Sequence, residues 1–350
     1  MIRKRRSRLV IVLLILGGGL IVSLFVASAF GAVNISVPDI LKMVLNKVAI
    51  FDFANTWRAT DETIVFQIRL PRVTGAALIG AALATAGALF QGLLRNPLAD
   101  PYIIGTSAGA ALGATIAMTL PINLAFLGFG LVPLAAFVGA LSAVIVVYNL
   151  ARVGSRTPIV SMLLAGFVVS ALLAAVISFL MAISDRVNLD LHSVYSFLMG
   201  HVSVVGWEQI AVVAPLVIGG IIGGRFFAYH LNAFSLGEEG AAYLGINVER
   251  DKVLVLALGS LLTAAAVSIG GLIGFVGLVM PHAVRLSLGP DHRLLLPASA
   301  LAGALFVVVA DLLARVVLAP TEIPVGIITA IVGAPFFLYL LRRSRREYAF

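Results

Sequence analysis

The chain has 350 residues, of which 61% are hydrophobic and 11% charged, and its mean hydropathy is +1.10. A soluble domain carries about 25% charged residues, so this composition excludes a soluble globular enzyme, a disordered chain and a coiled coil, and fits a polytopic membrane protein. The net charge is +8 and there is no cysteine, which excludes disulfides, thiolate nucleophiles and Cys-ligated metal sites.

The chain opens on Arg3, Lys4, Arg5, Arg6 and Arg8, followed by an uncharged run at 9–30. That run is about the length that crosses a bilayer core. The basic start and Ala27-Ser28-Ala29 also fit a signal peptide. The uncharged run is longer than a typical h-region, however, and nine more spans follow, so it is read as a retained helix. Residues 31–68 are expected to form an outer loop, with a short amphipathic helix at 37–45 opened by Ser36 or Pro38. The second span is placed at 73–94. Residues 101–151 are uncharged and long enough for two spans, turning at Leu120-Pro121-Ile122-Asn123. Next come a span at 157–183, an outer segment at 184–206, a span at 207–224 and the longest inner loop at 226–251. The run 253–284 has no formal charge and carries Gly270-Gly271 in its middle. It is split into spans at about 253–269 and 272–288. Spans at 294–318 and 325–341 complete ten, in an all-α polytopic fold with one transmembrane domain over 1–350.

The basic residues set the orientation. The N-terminal cluster and Arg342, Arg343, Arg345 and Arg346 place both termini in the cytoplasm, which requires an even number of spans. All but seven of the 24 Lys and Arg then fall on the inner side. The exceptions are Lys42, Lys47, Arg58, Arg69, Arg72, Arg186 and Arg315. The positive charge is therefore a topology signal and calls for no nucleic acid.

The sequence contains no phosphate-binding GxxxxGK[ST] loop, no HExxH and no GxSxG. At membrane depth the clearest ionisable residue is Asp311, with Arg315 one helical turn later. A proton-coupled pump carries more buried carboxylates, so the energy for any transport enters from elsewhere. Four segments stand out, each with a plainer alternative. Arg69-Leu70-Pro71-Arg72 opposes the charge bias, and its plain reading is snorkelling to headgroups. Gln91 to Pro101, with Asn96-Pro97-Leu98 and two prolines, is a rigid broken connection or a simple helix turn. Leu236 to Gly245 is a short cytoplasmic helix between glycines or a solvated loop. Gly270 to His282 has glycines that allow close backbone approach, and His282 is read as a helix-end histidine bonded to backbone in preference to a metal ligand.

In this order and spacing, the four segments resemble the FecCD-type permeases, the membrane subunits of ABC importers for iron–siderophore complexes, haem and vitamin B12. The resemblance continues through Arg285, Gly289-Pro290-Asp291-His292-Arg293, Ala310 to Arg315, Glu322 to Gly326 and Gly333-Ala334-Pro335-Phe336-Phe337. It implies ten helices per subunit, a second copy of the chain or a paralogous permease, and a pathway along their interface in a bacterial or archaeal cytoplasmic membrane. It also implies two separate ATP-binding cassette subunits that carry the ATP and Mg, and an extracytoplasmic substrate-binding protein. This chain is expected to bind no cofactor or metal and to be no enzyme. By resemblance, Leu236, Gly237, Glu238, Glu239, Ala241, Ala242, Leu244 and Gly245 couple to the ATPase. Asn96, Pro97 and Leu98 form a cytoplasmic gate, with Thr157, Pro158, Ile159 and Val160 as a second gate segment. Arg69, Arg72 and Arg315 receive acidic residues of the binding protein. The expected substrate is a metal chelate, a ferric siderophore or haem, with cobalamin or molybdate as alternatives. Met199, His192 and His201 are weak candidates for haem contacts. The competing classes are an intramembrane enzyme, which needs paired carboxylates or a Ser/His pair at depth, and a passive channel.

Overall fold

The computed structural model describes residues 2–31, 33–47, 53, 57–154 and 156–344. Arg345 and Arg346, named above, lie outside the described residues. The described residues are predominantly helical and form no strand, only the isolated bridges Phe126–Phe129 and Val153–Arg156.

The first helix, α1 (Ile2–Ala29), is followed by α2 (Val37–Lys47), the amphipathic helix expected from the sequence. Ser36 is its cap: the Asp39 amide donates to Ser36 Oγ at 3.2 Å. Ile40 and Met43 of α2 bury against Ala29, Ile35 and Val65. A continuous helical stretch then runs from Ala59 to Leu93 as α3 (Ala59–Thr63), a π-helical segment (Ile64–Arg69) and α4 (Leu70–Leu93). The outer loop expected over 31–68 therefore ends at residue 58. Charge hid the true start, because Asp61, Glu62, Arg69 and Arg72 lower the hydropathy of this stretch. Its arginines find partners instead of ending the helix.

After the turn Pro101–Ile104 come α5 (Thr106–Thr119), α6 (Leu131–Ala151) and α7 (Ile159–Ala182). The segment 184–206, expected on the outer side, contains α8 (Leu191–Met199), capped by Asp190, which accepts from the amides of His192 and Ser193. The next long helix, α9 (Trp207–Phe234), continues ten residues past the expected end. It is followed by α10 (Glu238–Tyr243) and α11 (Val248–Gly270). The loop expected over 226–251 thus shrinks to 235–247. Arg225 and His230 lie on helix, and His230 Nδ1 sits 2.8 Å from Asp251. The chain ends with α12 (Val276–Leu288), α13 (His292–Val316) and α14 (Val325–Ser344).

Seven described helices are long and apolar enough to cross a membrane, while α12 and the apolar part of α14 are shorter. At 1.5 Å per residue, α5 and α12 each reach only about 20 Å. Each is preceded by irregular chain, Pro101–Ile104 and residues 271–275 respectively.

Helix α4 is the hub, packed by α9, α11, α12 and α13. Two glycine contacts set how close its neighbours come. A Cβ on Gly80 would lie 2.0 Å from the Gly303 carbonyl oxygen, and one on Gly87 would lie 1.8 Å from that of Gly277. With little apolar driving force between helices in lipid, such backbone approach is what holds them together.

The split at Gly270 is present. Gly271 has φ +61° and Phe275 φ +67°, and the second helix begins at Val276, four residues later than expected. Irregular backbone at this depth needs internal partners, and it has them. His201 and Ser203 amides donate to the Gly270 and Ile269 carbonyls at 2.9 and 2.8 Å, and the Leu272 amide donates to Phe197 at 3.0 Å. The Tyr102 hydroxyl donates to the Ile273 carbonyl at 3.1 Å, and Gln91 Nε2 reaches the Gly277 and Leu278 carbonyls.

Candidate functional site

Chemistry concentrates at the two ends of α4. At the Arg72 end, Asp311 is fully buried and serves two arginines. Its Oδ1 accepts from Arg72 Nε and Nη2 at 3.2 and 3.0 Å, and its Oδ2 accepts from Arg315 Nε at 3.0 Å. Arg72 also grips Glu322 in a two-bond fork, at 2.9 and 2.8 Å. Burial raises the Glu322 carboxyl, but the hydrogen bonds and charge of Arg72 outweigh it and hold the group below its ordinary range. His201 lies 3.9 Å from Glu322. Burial and then the charge of Arg72 push His201 below its usual value, so it stays neutral at pH 7.

The other two arginines close the end of α1. Arg315 donates to the Phe30 and Ala27 carbonyls at 3.1 and 3.0 Å. Arg69 donates to Ser28 and Ala29 at 2.8 and 2.9 Å and to Val33. These are the orphan carbonyls of a helix C-terminus, which cations stabilise. Arg69 and Arg315 are buried with their donors turned inward. Arg72 keeps 17% of its side chain exposed.

At the opposite end lies α10. Gly237 (φ +96°) and Gly245 (φ +81°) bracket it in conformations that favour glycine. Ala241 is buried beneath it, whereas Tyr243 is 91% exposed, with Leu236 and Leu244 also exposed. Large apolar side chains standing free on one short segment mark an interaction surface. Lys252, at the head of α11, donates to Glu238 Oε2 at 2.8 Å, Glu249 Oε1 at 3.0 Å and the Thr157 carbonyl at 3.4 Å. Glu249 Oε2 accepts the Thr157 amide at 2.9 Å. Thr157 is buried, Pro158 caps α7, and Val160 in the first turn is 76% exposed.

Asn96, Pro97 and Leu98 form an exposed turn at the same end, closed by Asn96 Oδ1 accepting the Leu98 amide at 2.9 Å. Pro97 lines a cavity of about 460 Å³ with Arg95, Arg285, Asn232, Asp291 and His292. Past this turn, the Asp100 carboxyl accepts the Tyr102 amide, and burial pushes its pKa up to about 6. Asp100 borders a second cavity, of about 510 Å³, with Phe167, Ser170 and Phe275. Phe167 belongs to an apolar stripe on α7 (Val160, Leu164, Phe167, Leu172 and Phe179) that is exposed along its length.

Three features escaped sequence reasoning. Tyr243 was not singled out, although an aromatic between glycines in a charged loop was a usable signal. Glu322 enters the sequence reading only as the first residue of the Glu322 to Gly326 motif, with no partner assigned to it. The Lys252–Glu249 grip on Thr157 joins positions about ninety residues apart and left no local trace. His282 differs from expectation: its Nδ1 has no hydrogen-bond partner, and the ring packs against Phe336 and Phe337. This edge of α12 faces aromatic side chains rather than a free carbonyl. Met199, His192 and His201 share the far end of the bundle, and both histidines line a cavity of about 400 Å³. Among the described residues no group of three His, Cys, Asp or Glu is arranged to hold a metal ion.

Comparison with known proteins bears on these surfaces. The profile of the FecCD transport family matches residues 19–343. The cobalamin import system permease protein BtuC of Halobacterium salinarum is 50% identical over 283 residues, 81% of this chain and 74% of that protein. The hemin transport system permease protein HmuU of Yersinia pestis is 38% identical over 334 residues, 94% of this chain and 96% of that protein. A solved structure described as an inward-facing metal-chelate type ABC transporter superposes with a TM-score of 0.80 at 30% identity, covering 95% of this chain and 98% of that one.

Proposed function

The chain belongs to the FecCD transport family, and from that premise we propose that it is the membrane-spanning permease of an ABC importer for a large, already chelated metal complex, a ferric siderophore or haem. A second reading, cobalamin, is favoured by the 50% identity to a cobalamin permease. The observation that carries the importer reading is the family match across nearly the whole chain. The chain would cross the cytoplasmic membrane ten times with both termini inside, the shorter helices α5, α12 and α14 making up the number.

In this scheme the α10 end is cytoplasmic. Tyr243, Leu236 and Leu244 would seat in a separate ATP-binding cassette subunit, one for each of two permease copies. ATP and Mg belong to that subunit, and this chain supplies no catalytic group. The α7 stripe would face the second copy across the pathway, with Val160 and the Asn96-Pro97-Leu98 turn at its inner mouth. An extracytoplasmic binding protein would dock at the Arg72 end. Arg72 is the arginine with open surface to receive a carboxylate, while Arg69 and Arg315 fix the frame around it. Docking contacts of this kind set register and on-rate more than affinity. Transport follows from rocking the two copies about the interface as the ATPases close.

The test is reconstitution with the cognate ATPase and binding protein in nanodiscs. Binding-protein-stimulated ATP hydrolysis is expected, together with uptake of the one ligand, among ferric hydroxamate, haem and cyanocobalamin, that the binding protein holds. Tyr243→Ala should lower ATPase retention on purification. Uptake that proceeds without any ATPase would exclude the importer reading.

A further inference from the structure

The Thr157 backbone is held on both sides by one pair of side chains. Its amide donates to Glu249 Oε2 at 2.9 Å and its carbonyl accepts from Lys252 Nζ at 3.4 Å. Lys252 and Glu249 are themselves joined at 3.0 Å, so the three groups close a ring. The third ammonium proton of Lys252 goes to Glu238 in the first turn of α10, at 2.8 Å. An ammonium has three donors, and all three are committed here, to the coupling helix, to its own helix and to the residue before the α7 cap. Lys252 is buried to 9% side-chain exposure, where a charge holds its partners far more firmly than at the surface. The π-helical and broken segments lie elsewhere, so between Thr157 and Val160 there is only the Pro158 cap and one helical residue.

We propose that Lys252 and Glu249 are the transmission element of the transporter, carrying displacement of α10 to the head of α7 and so to the inner gate at Val160. The inference rests on the roles proposed above for α10 and Val160. A shift of α10 by about the slack of a hydrogen bond, a few tenths of an ångström, either pulls Lys252 and with it the Thr157 carbonyl or breaks the Glu238 contact. The second outcome frees the ring of Lys252, Glu249 and Thr157 from the pull of α10. In both cases the two positions of α10 correspond to two placements of Thr157, which is what a physical link between distant sites requires.

The experiment uses the full complex in nanodiscs. The absence of cysteine lets a single Val160→Cys be spin-labelled on each copy, and the distance between the labels is measured with and without ATP. ATP is expected to change this distance in the otherwise unaltered chain. Lys252→Met should abolish the change and cut uptake at least tenfold, with the ATPase rate within about threefold of normal. Lys252→Arg should restore part of both, and Glu238→Gln with Lys252→Met should be no worse than Lys252→Met alone, since the two sit in one chain of contacts. If Lys252→Met lowers the yield of folded complex, Glu249→Gln, which keeps the size and one acceptor, serves as the second variant with the same expected readout. A normal ATP-driven distance change in either variant overturns the proposal. No change in the unaltered chain overturns the Val160 gate and the transmission role together, which separates failure of the underlying reading from failure of the link.

Discussion

Replacing Asp311 with Asn should be among the most damaging conservative changes in the molecule, and the cost can be reasoned from its contacts. The carboxylate accepts three arginine hydrogen bonds, two from Arg72 and one from Arg315, with no exposed surface of its own. Asparagine keeps one acceptor oxygen and turns an NH₂ donor toward the second guanidinium. Arg72 still has Glu322, so the orphan is Arg315, buried and left with only the Phe30 and Ala27 carbonyls. Removing one partner of a buried ion pair costs about 3–5 kcal/mol. At roughly 2 °C per kcal/mol for a chain of this size, that is a fall in Tm on the order of 6–10 °C.

The assay is thermal unfolding followed by intrinsic fluorescence. Trp207 donates to the Phe66 carbonyl at 2.7 Å, and Trp57 packs beside Ile40 and Met43, so both tryptophans report on this end of the bundle. The double variant Asp311→Leu with Arg315→Met removes both charges and leaves the Arg72–Glu322 fork intact. It should recover at least half of the loss, because an apolar replacement of a whole buried pair is often neutral. A Tm within about 2 °C of normal for Asp311→Asn would refute the reasoning. So would a double variant less stable than Asp311→Asn.

Glu322→Gln frees Arg72 for an incoming carboxylate, so binding-protein docking should tighten severalfold and become more sensitive to salt; an unchanged affinity would make Arg72 purely internal. Gly80→Ala places a Cβ 2.0 Å from the Gly303 carbonyl oxygen. A backbone atom cannot rotate away, so α4 and α13 must part, with a cost at or above the usual 1–3 kcal/mol of overpacking and a matching loss of monodisperse protein. Asp100 has its folded pKa raised to about 6 from an ordinary value of about 4. Its support for the fold is therefore present at low pH and is lost as pH rises through 6. Asp100→Asn, which still accepts the Tyr102 amide, should match the parent near pH 4 and exceed it above pH 7 by up to roughly 3 kcal/mol, read from unfolding curves at the two pH values.

Much of the fold was legible because lipid imposes a simple rule: an uncharged run of sufficient length is a helix. The rule placed α7 and α13 within two residues at each end, and α1 and α6 within one residue at their C-terminal ends, while both of these begin seven or more residues away from the expected start. It failed where charges sit on membrane helices, as in the 59–72 stretch, where Arg69 and Arg72 have dedicated partners, and in the last turns of α9, which carry Arg225 and His230. Hydropathy sums a side chain's transfer cost and is blind to the group that offsets it. The break after Gly270 was visible as a glycine pair, but the extent of the unwound stretch was not. Its length depends on the amides of Leu272, His201 and Ser203 and on the Tyr102 hydroxyl finding partners along residues 197–203 and 269–273, and such pairings have no local signature.

The candidate site divides along the same line. Segments defined by backbone chemistry could be read directly: the proline turn at Asn96-Pro97-Leu98 and the glycine-bracketed helix around Ala241 occupy the same end of the bundle. Segments defined by charge could not, because a sign says nothing about a partner. Seven basic residues opposed the inferred orientation, and five of them have their charge engaged within the chain. Arg58 pairs with Asp61, Lys47 lies over the Phe66 ring, and Arg69, Arg72 and Arg315 are bound to carboxylates or carbonyls. The positive-inside rule concerns charge that must be kept from crossing the membrane uncompensated. A guanidinium already neutralised by Asp311 or seated on the carbonyls of α1 weighs little in that balance. Only Lys42 and Arg186 then stand against the proposed orientation. The arginines that looked like exceptions to topology are the clasp that holds α1, α4 and α13 together beside the open edge of Arg72.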